Sequence, residues 1–235
     1  VTWRAVPWSL CLAGCLIGGA ACAQTRVLDD FRSAASWRVV SSDQVKASMR
    51  RDAGGALCLR YDFGSVSGHA LLRRELPLEL PAHYLLRLRL HGSGPPNALQ
   101  LKLVDASGDN VWWMNRPDYR PPRSSAEMTI RQRQIEFAWG PTTDRVLRRA
   151  AAIELVVASG AGGRGQLCFE QLTLTALPPP GPRPAPVIDT SAQHWQADLG
   201  APREVSGLLL RWPPGKRSRD FDVQLSDDAH RGRTV

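Results

Sequence analysis

The chain has 235 residues, enough for one large or two small domains, with 43% hydrophobic residues to fill a core and 22% charged ones to keep it in water. Its formal charge is +8, but its lysines are only Lys46, Lys102 and Lys216, and the arginines are scattered through strand-like and turn-like segments. With no basic helix and no Arg-rich block beyond Lys216–Arg219, a nucleic-acid partner is not expected. No apolar stretch after residues 10–21 is long enough for a transmembrane segment, so none is expected.

In chain order the first segment reads as an export signal. Arg4 gives a positive start, Leu10 to Ala21 is apolar, and Ala21-Cys22-Ala23 is a small-x-small cleavage site. Residues 1–23 are therefore predicted to be a signal peptide, and the protein to be secreted or periplasmic. Leu12-Ala13-Gly14-Cys15 can also be read as a lipobox that would leave a lipid-modified Cys15. The apolar Leu16-Ile17-Gly18-Gly19 behind it makes a poor tether, so ordinary secretion is preferred. Cleavage removes Cys11, Cys15 and Cys22. Cys58 and Cys168 remain, each in a predicted strand, either as a disulfide or as two separate buried thiols.

Strand-like runs then recur to residue 177: Ala56–Phe63, Ala70–Leu78, Tyr84–Leu90, Ala98–Val104, Asn110–Met114, Met128–Phe137, Ile153–Ala158 and Gly165–Leu177. In several of them apolar and polar residues alternate, as in Leu86, Leu88 and Leu90 against Arg87 and Arg89. Asp105, Ser107, Gly108, Asp109 and Asn110 carry the turn chemistry of a hairpin between two such runs. Asp144–Ala152 is predicted to be a short helix. Gly160 to Gly165 fits Gly-x-Gly-x-x-Gly, but a strand follows it rather than a helix, so it is predicted to be a flexible hairpin turn and not a phosphate loop. Many short strands at regular spacing predict an all-β sandwich over residues 24–177.

Residues 178–186 hold six prolines in nine positions and predict a semi-rigid linker. Beyond it, strands are predicted at Trp195–Leu199, Glu204–Trp212 and Phe221–Leu225. Residues 187–235 are too few to bury a core of their own, so this second unit is expected to be incomplete.

Leu28-Asp29-Asp30-Phe31 before Trp37, the Lys102–Asp105 hairpin and the Gly-rich turn and strand of Gly160–Leu174 together resemble the galactose-binding-like jelly-roll modules of bacterial carbohydrate-binding proteins. Asp198-Leu199-Gly200, Glu204 to Leu208, Trp212 and Asp222 to Asp228 resemble the start of a discoidin (coagulation factor 5/8 type C) domain. Two features depart from that family: Ala229 and Gly232 stand where Gly and then Trp are usual, and the early Asp-Gly loop before Trp195 is missing. The resemblance implies a jelly-roll β-sandwich followed by a partial second β-sandwich, with a catalytic domain of a glycan-acting protein further along.

Candidate ligand residues cluster around the hairpin. Trp112 and Trp113 are neighbours on one strand and so point to opposite faces, one free to stack on a ligand while the other fills the core. Asn115, Arg116 and Tyr119 add amide, guanidinium and phenol groups, and Trp139 stands at a strand end. An aromatic platform beside paired polar groups suits a sugar's C–H face and its hydroxyls; the alternative is that these indoles pack inside. Asp29, Asp30 and Glu170 could meet if the terminal strands pair, as hard oxygen ligands for a structural Ca²⁺ or simply as surface carboxylates. Gly64 to Gly68 centres on Val66 and is no nucleophile elbow. His69, His83, His91, His194 and His230 lack metal-ligand spacing. The expected protein is thus no enzyme in itself but a secreted carbohydrate-binding module whose partner is a glycan or polysaccharide. The alternative is a structural sandwich that packs against a downstream glycoside hydrolase domain.

Overall fold

The computed structural model of the chain describes residues 24–180, 185–191, 194–200, 203, 205, 207–226, 228 and 231–234. The predicted signal segment with Cys11, Cys15 and Cys22 lies outside the described residues, as do the linker's centre and parts of the discoidin-like motif. The described residues up to 179 form one compact unit and those from 180 onward a second.

The first unit consists of β1 (Gln24–Asp29), β2 (Arg38–Ser41), β3 (Lys46–Arg51), β4 (Leu57–Asp62), β5 (His69–Glu79), β6 (Tyr84–Ser93), β7 (Asn97–Val104), β8 (Val111–Tyr119), β9 (Ala126–Arg131), β10 (Glu136–Trp139), β11 (Arg149–Ala158) and β12 (Arg164–Ala176). They form two antiparallel six-stranded sheets. One runs β3-β4-β12-β6-β9, with β1 on the far half of β12; the other runs β10-β8-β7-β11-β5-β2. The predicted alternation sets the inner faces. Leu99, Leu101 and Leu103 of β7 and Ile153, Leu155 and Val157 of β11 meet Leu86, Leu88 and Leu90 of β6 and Leu57 and Leu59 of β4 in one core. In β12 the apolar phase slips between Phe169 and Leu172, because a bulge at Glu170 adds one residue to the strand. The sandwich is all-β, as the alternation implied.

Three local expectations are corrected. Asp144–Ala152 is not a helix: its first half is irregular, and Arg149 onward is β11, paired on both edges with β5 and β7. Burial of Ala150 and Ala152 in the sheet outweighs the helical propensity of the Arg-Arg-Ala-Ala-Ala run. Gly160–Gly165 is not a hairpin, since it carries the chain from β11 in one sheet to β12 in the other. Buried Asn97 fixes it: its Oδ1 accepts from the N–H of Gly160 at 2.8 Å and of Gly162 at 2.9 Å, and its Nδ2 donates to the Gly162 carbonyl at 3.0 Å. Finally, no strand runs through the described residues of 204–212. Among its described residues the second unit shows the ladders β13 (Val187–Thr190) with β14 (Trp195–Asp198), and β15 (Gln224–Leu225) with β16 (Arg233–Thr234).

Cys58 and Cys168 are bonded. They are directly opposite each other on β4 and β12, on the outer face of their sheet and closed over by Ala56.

Core tyrosines make the sandwich sensitive to alkali. Burial pushes the Tyr84 phenol from 10.0 up to about 12, and raises Tyr61 and Tyr119 as well. A raised folded-state value means that this stability is complete below about pH 10 and is lost as the pH climbs through about 12. The loss for Tyr84 is roughly 2–3 kcal/mol. The urea midpoint is expected to fall across that window, and to fall less in Tyr84→Phe; identical profiles would contradict the assignment.

Candidate binding face

Strand register builds the candidate site on the outer face of the second sheet. Residues directly opposite each other in antiparallel strands share a face, and one such row crosses all six strands. It reads Glu136 (β10), Trp113 (β8), Lys102 (β7), Glu154 (β11), Arg73 (β5), Arg38 (β2). At about 4.8 Å per strand the row spans roughly 24 Å, room for several consecutive sugar rings. On one side runs a row of Asn115, Gln100, Val156, Leu71 and Val40; on the other, Trp139, Val111, Val104, Ala152 and Glu75. Val104, Val111, Ala152, Val156 and Leu71 are buried and give the face an aliphatic floor.

The polar groups are arranged against one another. Arg73 donates from Nη1 to Glu154 Oε1 at 2.8 Å and from Nε to Glu75 Oε1 at 2.9 Å, and Arg38 reaches the same Glu75 oxygen at 3.4 Å. These contacts raise the Arg73 pKa and hold the Glu75 carboxyl below its ordinary value. Gln100 Nε2 donates to Asn115 Oδ1 at 3.3 Å. His69, one row further along β5, is lowered chiefly by burial and then by the Lys102 charge. The charged end opens toward a cavity of about 350 Å³ lined by Trp37, Arg38, Arg73 and Glu75.

The aromatic end depends on a backbone irregularity. β10 pairs Phe137 with Trp112 on the core side, yet pairs Trp139 with Val111 on the outer side, because a bulge at Ala138 breaks the alternation. Trp139 is thereby turned out, 45% exposed, and meets Trp113 at 85° with ring centroids 5.5 Å apart. Gly140 follows at φ 136, and a Cβ there would lie 2.3 Å from Asn110 Oδ1. That oxygen accepts from Thr142 N–H at 2.9 Å, while Asn110 Nδ2 donates to Asp105 Oδ2 at 2.7 Å. The segment carrying Trp139 is thus pinned to the β7–β8 turn, which fixes the two indoles as a rigid corner.

Of the six residues named from sequence, Trp113, Asn115 and Trp139 share this face. Trp112 does not: it is 5% exposed, packs edge-on against Phe137 at 5.3 Å, and donates from Nε1 to the Arg145 carbonyl at 2.7 Å. Tyr119 is half-buried against the core, and Arg116 is exposed but pairs with Leu99, on the register of the opposite face. Sequence reading missed Gln100, Lys102, Glu154, Arg73, Glu75 and Arg38. Gln100 and Lys102 were legible as the polar phase of β7; the others are joined to them only by register.

The proposed calcium ligands do not converge. β1 and β12 do pair, but both Asp29 oxygens are already engaged. Oδ1 accepts from Phe31 N–H at 2.5 Å, and Oδ2 from Trp37 Nε1 at 2.9 Å and from the Arg74 guanidinium. Arg74 therefore stands where a cation would bind Asp29. Asp30 is exposed. Glu170 accepts from Ser125 at 2.7 Å and contacts His91 Nδ1 at 2.7 Å, while Asp52 lies 3.0 Å from His91 Nε2. Asp30, Asp52, His91 and Glu170 line one concavity of about 730 Å³ on the other sheet, without Asp29. Among the described residues the only three-membered donor group within 4.8 Å is Asp52 with the two bonded cysteines, which offer no thiolate. Asp29, Asp30 and Glu170 therefore do not form one donor set.

No family model and no curated protein matches the chain. Solved structures do. The family 11 carbohydrate-binding module of a cellulosomal cellulase of Clostridium thermocellum superposes with a TM-score of 0.53 at 16% identity, over 64% of this chain and 94% of that one. The same family's module in complex with a β-1,3-1,4-mixed-linked tetrasaccharide gives 0.53 at 16%, over 65% and 95%. A solution structure from that family gives 0.54 at 15%, over 68% and 99%. At these identities the likeness is one of fold: this chain shares with those modules an all-β jelly-roll sandwich.

Proposed function

We propose that residues 24–177 form a non-catalytic carbohydrate-binding module that holds a linear glycan across the strands of the β10-β8-β7-β11-β5-β2 sheet. The observation that carries this reading is the corner of Trp113 and Trp139, which stands at one end of an in-register row of amide, ammonium, carboxylate and guanidinium groups. Indoles offer flat apolar surface to the C–H faces of sugar rings, and the row offers donors and acceptors to successive hydroxyls. A module of the same fold solved with a tetrasaccharide supports it.

The protein is exported, with residues 1–23 as its signal, and works in the periplasm or outside the cell. A disulfide in the core module accords with an oxidising compartment. Residues 187–235 belong to a discoidin-like module, and the two together bring a catalytic region of a glycan-acting protein to its polymer.

Affinity electrophoresis against a panel of soluble polysaccharides tests the reading. Trp139→Ala and Trp113→Ala are each expected to weaken retention at least tenfold, on the order of 1.5–2.5 kcal/mol for a lost aromatic platform. Arg116→Ala, on the opposite register, is expected to leave retention unchanged. Unchanged retention in both Trp variants would remove the site, and a wild type retained by no polymer would favour a sandwich that only packs against its neighbour domain.

A further inference from the structure

The row of charges on the binding face is not evenly balanced along its length. At the charged end the two carboxylates are taken up by arginine: Glu154 by Arg73 at 2.8 Å, and Glu75 by Arg73 and Arg38 at 2.9 and 3.4 Å. Lys102 stands next to Trp113 in register and across from Glu154, yet among the described residues no carboxylate lies within 4.0 Å of its ammonium. Its close neighbours are the indoles, with Nζ 5.0 Å from the Trp139 ring centre and 6.0 Å from that of Trp113. Indole faces attract a cation but accept no strong hydrogen bond in the way an anionic oxygen does. The three N–H groups of a half-buried ammonium are thus held at the aromatic corner with no carboxylate in ion-pair contact among the described residues. Burial lowers the Lys102 pKa, and Glu154 is the single charge that offsets this.

From this arrangement, and on the reading of the face as a glycan site, we infer that the module selects anionic polysaccharides, with Lys102 pairing with an acidic group of the sugar seated at the Trp113–Trp139 corner. A carboxylate or sulfate ester placed there completes the alternation that Glu154, Arg73 and Glu75 begin. Such a ligand gains a charge-assisted hydrogen bond in a partly desolvated corner, which a neutral hydroxyl cannot match. Lys102 is the specificity-determining residue, and the indoles serve whichever polymer is bound.

The test uses the whole chain and three polymers: polygalacturonate for the carboxylate, carrageenan for the sulfate ester, and mixed-linkage β-glucan for the neutral case. The wild type is expected to bind one of the anionic polymers at least tenfold more tightly than the neutral glucan, and to lose that margin as sodium chloride is raised. The polymer that is retained says which acidic group is read. Lys102→Met and Lys102→Gln are both expected to abolish the margin and its salt dependence while any binding of neutral glucan persists, and Lys102→Arg to restore it in part. Two substitutions guard against a packing effect at one of them, with the thermal midpoint as the check on folding. Preferential binding of the neutral glucan by the wild type overturns the inference and leaves the wider glycan reading standing. Binding of none of the three by the wild type overturns both.

Discussion

Removal of the Cys58–Cys168 bond, by reduction or by replacing both cysteines with Ala, is expected to lower the unfolding free energy of the sandwich by about 3–5 kcal/mol. The bond closes a loop of 110 residues, spanning most of the first unit, so in its absence the unfolded chain regains a large share of conformational freedom. The native state loses less, because β4 and β12 are already hydrogen-bonded neighbours across this point. For a sandwich of this size the loss corresponds to a fall of roughly 10–15 °C in Tm. Both sulfurs are fully buried, so reduction is also expected to be slow unless the chain is partly unfolded. Thermal scans with and without reductant, beside the double Ala variant, check both points. A double variant that melts within a degree or two of the wild type would show that the ladder alone holds these strands.

The second large effect is expected at Asp29 and Arg74. Asp29, with its side chain 6% exposed, ends β1 and gathers the Phe31 amide, the Trp37 indole and the Arg74 guanidinium. Through these contacts it holds Phe31 at φ 54, a left-handed conformation that is costly for a bulky residue. Phe31 in turn stacks on Trp37 at 5.2 Å and meets Phe169 at 5.7 Å inside the core. Arg74→Met leaves the carboxylate buried without its cation and is expected to cost about 3–5 kcal/mol, toward the lower end because Arg74 is 24% exposed. Asp29→Asn in the same protein removes the stranded charge while keeping an acceptor for the indole, so the double variant is expected to recover more than half of the loss. Urea titrations of the two single variants and the double variant form the cycle. Strict additivity would show that the two side chains stabilise the fold independently.

Much of this architecture could be read along the chain. The β period is local: Leu99, Leu101 and Leu103 alternate with Gln100 and Lys102 because successive Cβ atoms leave a strand on opposite sides. That alternation sufficed for the all-β class, for most strand positions and for the separation of Trp112 from Trp113. The helix expected at Asp144–Ala152 fails for the converse reason, since a short alanine-rich run takes the structure its neighbours impose: β5 offered it a ladder from Arg149 onward, and β7 joins on the other edge at Ala152. The Asp29–Arg74 pair was hidden too, as nothing in a single sequence joins positions 29 and 74.

Sequence alone determined which side chains each strand presents together, since that depends only on the geometry of neighbouring residues. Tertiary structure decided which strands lie side by side and in what register, and so assembled Glu136, Trp113, Lys102, Glu154, Arg73 and Arg38 from six separate segments into one row. It also decided the side on which Trp139 emerges. By simple alternation Trp139 would have joined Phe137 against the core; the bulge at Ala138, fixed by pairing with β8, turned it outward to complete the corner.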